Sequence, residues 1–172
     1  MSDIRPVVNV VFAGLGGQGV VKASDILADA AFRAGHDVKK AEVHGMSQRG
    51  GSVTSDVRFG AEVLSPMVPR GEADYLVVLA EREIEVARPW LRPGGMLLTP
   101  SLVPEAALPN KRSLNVALLG ALSTFLDLPD GCWGEALQAA LPPHLAEANA
   151  RAFELGRELG RERSREAGQG VP

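Results

Sequence analysis

Gly14, Gly16 and Gly19 stand at the spacing G-x-G-x-x-G, directly after an apolar run and directly before a stretch with helical periodicity. That context gives the spacing its chemistry. Glycines permit a tight turn and remove side chains that would block an approaching group. The amides at the start of the following helix then face outward, where they favour an anion. Gly17 lies inside the same turn, and Gln18 adds an amide that can both donate and accept. A structural reading stands beside this one, in which the glycines only let the first helix pack closely on a sheet. A second stretch, His44-Gly45-Met46-Ser47-Gln48-Arg49-Gly50-Gly51, has no periodicity. Arg49 is a fixed cation with a planar donor fork suited to carboxylate or phosphate. Ser47 and Gln48 supply short polar contacts, and Gly50 and Gly51 let backbone approach a ligand or a partner closely. By spacing alone Arg49 reads equally well as a solvent-exposed loop arginine, and His44 reads best as a hydrogen-bonded scaffold residue. The candidate cofactor-binding edge is therefore Gly14, Gly16, Gly17, Gln18 and Gly19 with Ser47, Gln48, Arg49, Gly50 and Gly51.

No nucleophile, base and orienting group come together in the sequence. His36, His44 and His144 are scattered, and no His/Cys/Asp/Glu cluster has metal-ligand spacing. Cys132 is the only cysteine, so the chain can form no internal disulfide and cannot supply the four or so thiolates an iron–sulfur cluster takes. No catalytic and no metal-binding residue is expected in this chain.

The elements that must position the two glycine stretches follow from periodicity. Residues 7–13 are β-branched and continuously apolar, a strand buried on both faces. Val20, Ala23, Ile26, Leu27, Ala30 and Ala31 recur at helical spacing, and Gly35 ends that helix. Residues 37–43 read as a second strand. Residues 52–59 alternate and read as a third, paired in an antiparallel hairpin with a short return strand at Val63-Leu64. Residues 73–80 form another buried strand, 81–91 a short helix opening with acidic residues, and 96–99 a strand. A Pro-containing connection over 100–110 leads to helices at 114–126 and 133–141. A long charged helix over about 144–165 carries Glu154–Arg157, Glu158–Arg161 and Glu162–Arg165 one turn apart. The fold class expected is α/β: a mostly parallel Rossmann-like sheet with an antiparallel hairpin and helices on both faces, in a single domain over 1–172.

Bulk properties bound the function. The 172 residues are 45% hydrophobic and carry a formal net charge of −3, so a nucleic-acid partner is not expected. No apolar run is long enough to span a bilayer, residues 1–6 do not read as the start of a signal peptide, and one cysteine suits a reducing compartment. The expectation is a cytoplasmic protein with no membrane contact. A dinucleotide fold would place an acid such as Glu42 at the end of the second strand to hold a ribose. It would then continue into a helix and a parallel strand, whereas here a glycine-bearing loop and a hairpin follow. Ordinary NAD binding is disfavoured. A stand-alone dinucleotide-binding Rossmann-like protein and a scaffold whose loops touch only protein stay as alternatives.

Two strings, Ala13-Gly14-Leu15-Gly16-Gly17-Gln18-Gly19 and Glu42-Val43-His44-Gly45-Met46-Ser47-Gln48-Arg49-Gly50-Gly51-Ser52-Val53, resemble the gamma-type domain of the 2-oxoacid:ferredoxin oxidoreductases, and within it the β subunits of the indolepyruvate type. The resemblance runs over about 7–99, resumes at 115–122 and again at 149–156. It implies a non-cofactor-bearing subunit of an enzyme that decarboxylates a 2-oxoacid, an aryl pyruvate such as indolepyruvate, oxidatively onto coenzyme A and passes electrons to ferredoxin. Thiamine diphosphate and iron–sulfur clusters are then expected in a large partner subunit, with coenzyme A as co-substrate. The isolated chain is expected to be inactive. The connection 99–115 is shorter than the resemblance suggests, which leaves the particular 2-oxoacid open.

Overall fold

The computed structural model describes residues 6–45 and 50–169. Its sheet has five strands: β1 (Val8–Leu15), β2 (Asp37–His44), β3 (Ser52–Gly60), β4 (Ala73–Val78) and β5 (Leu91–Leu98), in the spatial order β2-β3-β1-β4-β5. Four successive side chains of β1, Val10 to Ala13, are 1% exposed or less, which requires cover on both faces and a central place in the sheet. β1 pairs in parallel with β4, and β4 with β5, while β3 runs antiparallel to both β1 and β2. Four strands thus point one way and β3 alone is reversed, so the sheet is mixed.

The antiparallel hairpin exists, but not where periodicity placed it. β3 pairs residue for residue with β2, from Asp37 opposite Gly60 to His44 opposite Val53. Val63-Leu64 is not a strand. The reason is geometric: β3 already has β2 on one edge and β1 on the other, so no free ladder remains for a return strand. The segment after β3 is instead strapped down by side chains. Val63 N–H donates to Asp37 at 2.7 Å and Val68 N–H donates to the buried Asp56 at 2.8 Å, while Leu64 is 86% exposed.

Helices cover the two faces unequally. One face carries α1 (Val20–Arg33), α3 (Leu114–Ser123), α4 (Asp130–Ala140) and α5 (Ala146–Gln169), packed on Val10, Phe12, Val57, Val77 and Leu98. The other face, with Val11, Ala13, Leu76 and Val78, is covered by the 61–72 segment and a single helical turn, α2 (Ile84–Ala87). The helix expected over 81–91 breaks into two 3-10 turns around α2. Pro89 explains the break, since it lacks an N–H and disfavours helical backbone before it. β5 begins at Leu91, earlier than expected, because Arg92 to Gly95 bulge out between the Ala73–Leu91 and Tyr75–Met96 pairs.

α3 is buried all round from Asn115 to Ser123, so its apolar surface is core. It crosses α5 at backbone contact: a Cβ on Gly120 would overlap the Phe153 carbonyl, and one on Gly156 the Ala117 carbonyl. Of the charged pairs expected along α5, Glu154–Arg157 reaches 3.8 Å, and Arg157 makes its shorter bond, 2.9 Å, to Asp130 of α4.

Candidate functional site

β1 and β2 end, and β3 begins, at one rim of the sheet, so the two glycine stretches emerge side by side. They touch. Gly16 N–H donates to the Gly51 carbonyl at 2.9 Å, and a Cβ built on Gly16 would stand 3.5 Å from the Gly50 nitrogen. Gly45 N–H closes the base of the second loop on the Ser52 carbonyl at 2.7 Å. Ser47, Gln48 and Arg49 lie outside the described residues.

Within the first turn the residues divide by task. A Cβ on Gly14 would press on Gln18, Val20 and Leu79 at 2.9–3.1 Å, so Gly14 serves close packing of turn, helix and sheet. Gln18 braces the turn: its Oε1 accepts Leu15 N–H at 2.8 Å and its Nε2 donates to the Leu79 carbonyl at 3.4 Å. Gly17 and Gly19 hold φ of 87° and 83°, the left-handed region that favours glycine. Gly19 is the N-cap of α1 and brings no side chain to cap it. Among the described residues, the amides of Gly17, Gly19, Val20 and Val21 meet no acceptor. They open on a shallow groove of about 470 Å³, lined by Gly16, Gly17, Gly19, Val20, Lys22 and His44. Amides that meet no acceptor among the described residues, at the positive end of a 14-residue helix, can hold a phosphate or carboxylate.

Asp25 and His44 also line the groove, and a chain of charges on β2 joins them behind it. Asp25 bonds Lys40 at 2.7 Å, Lys40 contacts Glu42, and Glu42 faces His44 Nε2 at 3.5 Å. The Lys40 ammonium holds the Glu42 carboxyl below its ordinary range, opposed by partial burial and aided to a lesser extent by His44. Glu42 is therefore engaged by its own strand. It is also separated from β1 by the intervening β3, roughly 10 Å at ordinary strand spacing. An acid that holds a ribose in a dinucleotide fold lies on the strand next to β1. Geometry thus opposes the dinucleotide alternative.

Three contributors are not singled out by the sequence. Glu83, in the 3-10 turn after β4 and 9% exposed, accepts Ser52 Oγ–H at 2.8 Å, while its neighbour Arg82 donates to the Gly50 carbonyl at 3.4 Å. Together they hold the second loop to the sheet rim. The sequence signal was available, since both residues directly follow a strand that ends at that rim. Asn115, at the start of α3, donates through Nδ2 to the Gly19 carbonyl at 3.2 Å across 96 residues, and local periodicity carries no trace of it. Cys132, the sole cysteine, is partly buried, and the described residues include no group of three or more His, Cys, Asp or Glu that could hold a metal ion. No helix among the described residues is long and apolar enough to cross a membrane.

A family model described as pyruvate ferredoxin/flavodoxin oxidoreductase matches residues 9–113. The indolepyruvate oxidoreductase subunit IorB of Thermococcus kodakarensis is 35% identical, over 86% of this chain and 93% of that one. The subunit of the same name from Archaeoglobus fulgidus is 51% identical over a shorter stretch, 44% of this chain and 37% of that one. The gamma subunit of a keto/oxoacid ferredoxin oxidoreductase from Geobacter sulfurreducens superposes with a TM-score of 0.75 at 21% identity, covering 91% of this chain and 98% of that one. A 2-oxoglutarate:ferredoxin oxidoreductase from Magnetococcus marinus, solved with 2-oxoglutarate, coenzyme A and succinyl-CoA bound, superposes with a TM-score of 0.77 at 21% identity, covering 92% of this chain and 32% of that one. At such identity the structural likeness speaks for the fold. With the family model spanning more than half of its length and a relative aligned along most of it, the chain belongs to the pyruvate ferredoxin/flavodoxin oxidoreductase family.

Proposed function

We propose that this chain is the thiamine-free small subunit of a 2-oxoacid:ferredoxin oxidoreductase acting on an aryl pyruvate, indolepyruvate or a close analogue. The 35% identity to an indolepyruvate oxidoreductase subunit along most of both chains supports the subunit reading. The overall reaction takes a 2-oxoacid, coenzyme A and two oxidised ferredoxins to an acyl-CoA, carbon dioxide, a proton and two reduced ferredoxins. Thiamine diphosphate would supply the carbanion chemistry and iron–sulfur clusters the electron path. A single cysteine cannot hold a cluster, and this reading assigns both the clusters and thiamine diphosphate to a large partner subunit. The isolated chain is then inactive, and the assembled enzyme works in the cytoplasm.

This chain's own part is to complete the assembly and to receive the anionic end of coenzyme A at the joined glycine loops. The Gly16–Gly51 hydrogen bond carries that reading, because it brings two bare stretches of backbone together beside amides that meet no acceptor among the described residues. Gly14, Gln18 and Gly19 shape the turn. Gly16 and Gly17 admit the ligand, and Gly50 and Gly51 abut it from the second loop. Ser47, Gln48 and Arg49 add side-chain contacts, with the Arg49 fork on phosphate. Co-expression with a large thiamine-dependent partner tests the whole reading. The expected product is a stable complex that reduces a dye only when both an aryl 2-oxoacid and coenzyme A are present. A chain that co-purifies with no such partner, or a complex indifferent to coenzyme A, contradicts it.

A further inference from the structure

Gly19 occupies an unusual position for a helix cap. A cap residue normally fixes a helix start by accepting the second or third amide with its own side chain, which consumes the groups an anion would use. Gly19 has no side chain to do this, and it holds a left-handed φ of 83°. Its position is set from outside instead. The Gly19 carbonyl accepts two bonds, the first helical one from Ala23 N–H at 3.0 Å and one from Asn115 Nδ2 at 3.2 Å. Asn115 is 7% exposed, in a helix otherwise buried through Val116, Leu118, Leu119 and Leu122. A buried amide in such company is tolerated only where it is bonded. A Cβ on Gly19 would overlap the Asn115 amide, so the two residues specify one another. Asn115 is also firmly based, because α3 is locked to α5 by the close crossing at Gly120 and Gly156.

We propose that Asn115 is a positioning residue for the coenzyme A edge. It grips the carbonyl of the cap rather than its amides, and so orients the start of α1 while leaving Gly17, Gly19, Val20 and Val21 free for the ligand. The proposal rests on the reading of that edge given above.

The assembled complex provides the test, with Asn115→Ala and the isosteric Asn115→Asp. The Asn115→Ala complex should show a KM for coenzyme A raised about tenfold, the loss of one buried hydrogen bond at a binding site. Its KM for the 2-oxoacid and its kcat should stay within twofold of the parent. Amide exchange over residues 17–22 should quicken. Asn115→Asp should raise the coenzyme A KM further, since a carboxylate repels the Gly19 carbonyl and sets negative charge where the anion binds. An unchanged KM for coenzyme A in either assembled variant overturns the proposal, as does an equal rise in both KM values, which marks general loosening. If Asn115→Ala does not assemble, Asn115→Asp decides by the same criteria. Failure of both to assemble assigns Asn115 to folding and overturns the proposal too. Failure of the underlying reading looks different: Gly17→Ala, which sets a methyl in the groove itself, then also leaves the coenzyme A KM unchanged, or the unsubstituted complex turns over without coenzyme A.

Discussion

Neighbouring glycines in the first turn meet quite different surroundings, and their replacements separate accordingly. Alanine at Gly16 would find Gly50 backbone at 3.5 and 3.8 Å, an ordinary contact, at a φ that a side chain can adopt. Its stability cost should be under about 1 kcal/mol. Alanine at Gly19 must take a left-handed φ and overlap Asn115. It should cost on the order of 2–4 kcal/mol, read as a lower urea midpoint. Equal midpoints for the two variants would show that the turn is slack. Asp56 offers a test of burial. Desolvation pushes its carboxyl up from the ordinary value of 3.8, partly opposed by the Val68 amide at 2.8 Å and by Arg58. A carboxyl that binds its proton more tightly when folded favours folding at low pH. That advantage is lost as pH rises from the unfolded value through the folded one, and above it the fold carries a buried ion. Asp56→Asn keeps an acceptor for Val68 and removes the charge. Its melting midpoint at pH 7 should rise by about 2–4 °C, with the gain vanishing towards pH 3. A lower midpoint at pH 7 would show the ion to be stabilising.

Helices α3 and α5 meet through glycine where α4 merely contains it. Gly156→Ala drives a methyl into the Ala117 carbonyl, so the two helices must part, and the cost should exceed about 3 kcal/mol in a denaturant titration. Gly134 of α4 has open space at its Cβ position, and Gly134→Ala should instead stabilise by about 0.5–1 kcal/mol through helix propensity. If both destabilise alike, packing at the crossing is not what distinguishes them. The elements themselves were legible to different degrees for a related reason. β1, the glycine turn and α1 follow from a local pattern, and α1 buries the side chains its periodicity names, with Ser24 beside them. The partner of β3 is not local information. The 52–59 alternation shows one buried face, but not that β2 and β1 would take both edges and leave Val63-Leu64 unpaired. Pro89 is visible in the sequence, yet the 81–91 pattern around it suggests one helix, which Pro89 in fact interrupts.

For the molecule as a whole, the rim was readable because both glycine stretches abut strand ends, and parallel strands bring such ends together. What grips the rim was not. Asn115 reaches Gly19 across 96 residues and Glu83 reaches Ser52 across 31, distances at which sequence spacing says nothing about contact. Gln18, read as a ligand contact, holds the turn to β1 and β4, and only the fold reveals that its amide is engaged. The account therefore stands on the amides beside the Gly16–Gly51 contact that meet no acceptor among the described residues, and Gly17, which lines the groove, probes them directly. A Cβ at Gly17 meets nothing within 4 Å, so alanine there adds about 1–2 kcal/mol of backbone strain and a methyl that stands in the groove. The decisive number is the ratio of coenzyme A KM between the Gly17→Ala complex and the parent. A ratio of about ten, with kcat and the 2-oxoacid KM unchanged, is predicted. A ratio near one from an intact complex would mean that coenzyme A binds elsewhere and that this rim serves another purpose.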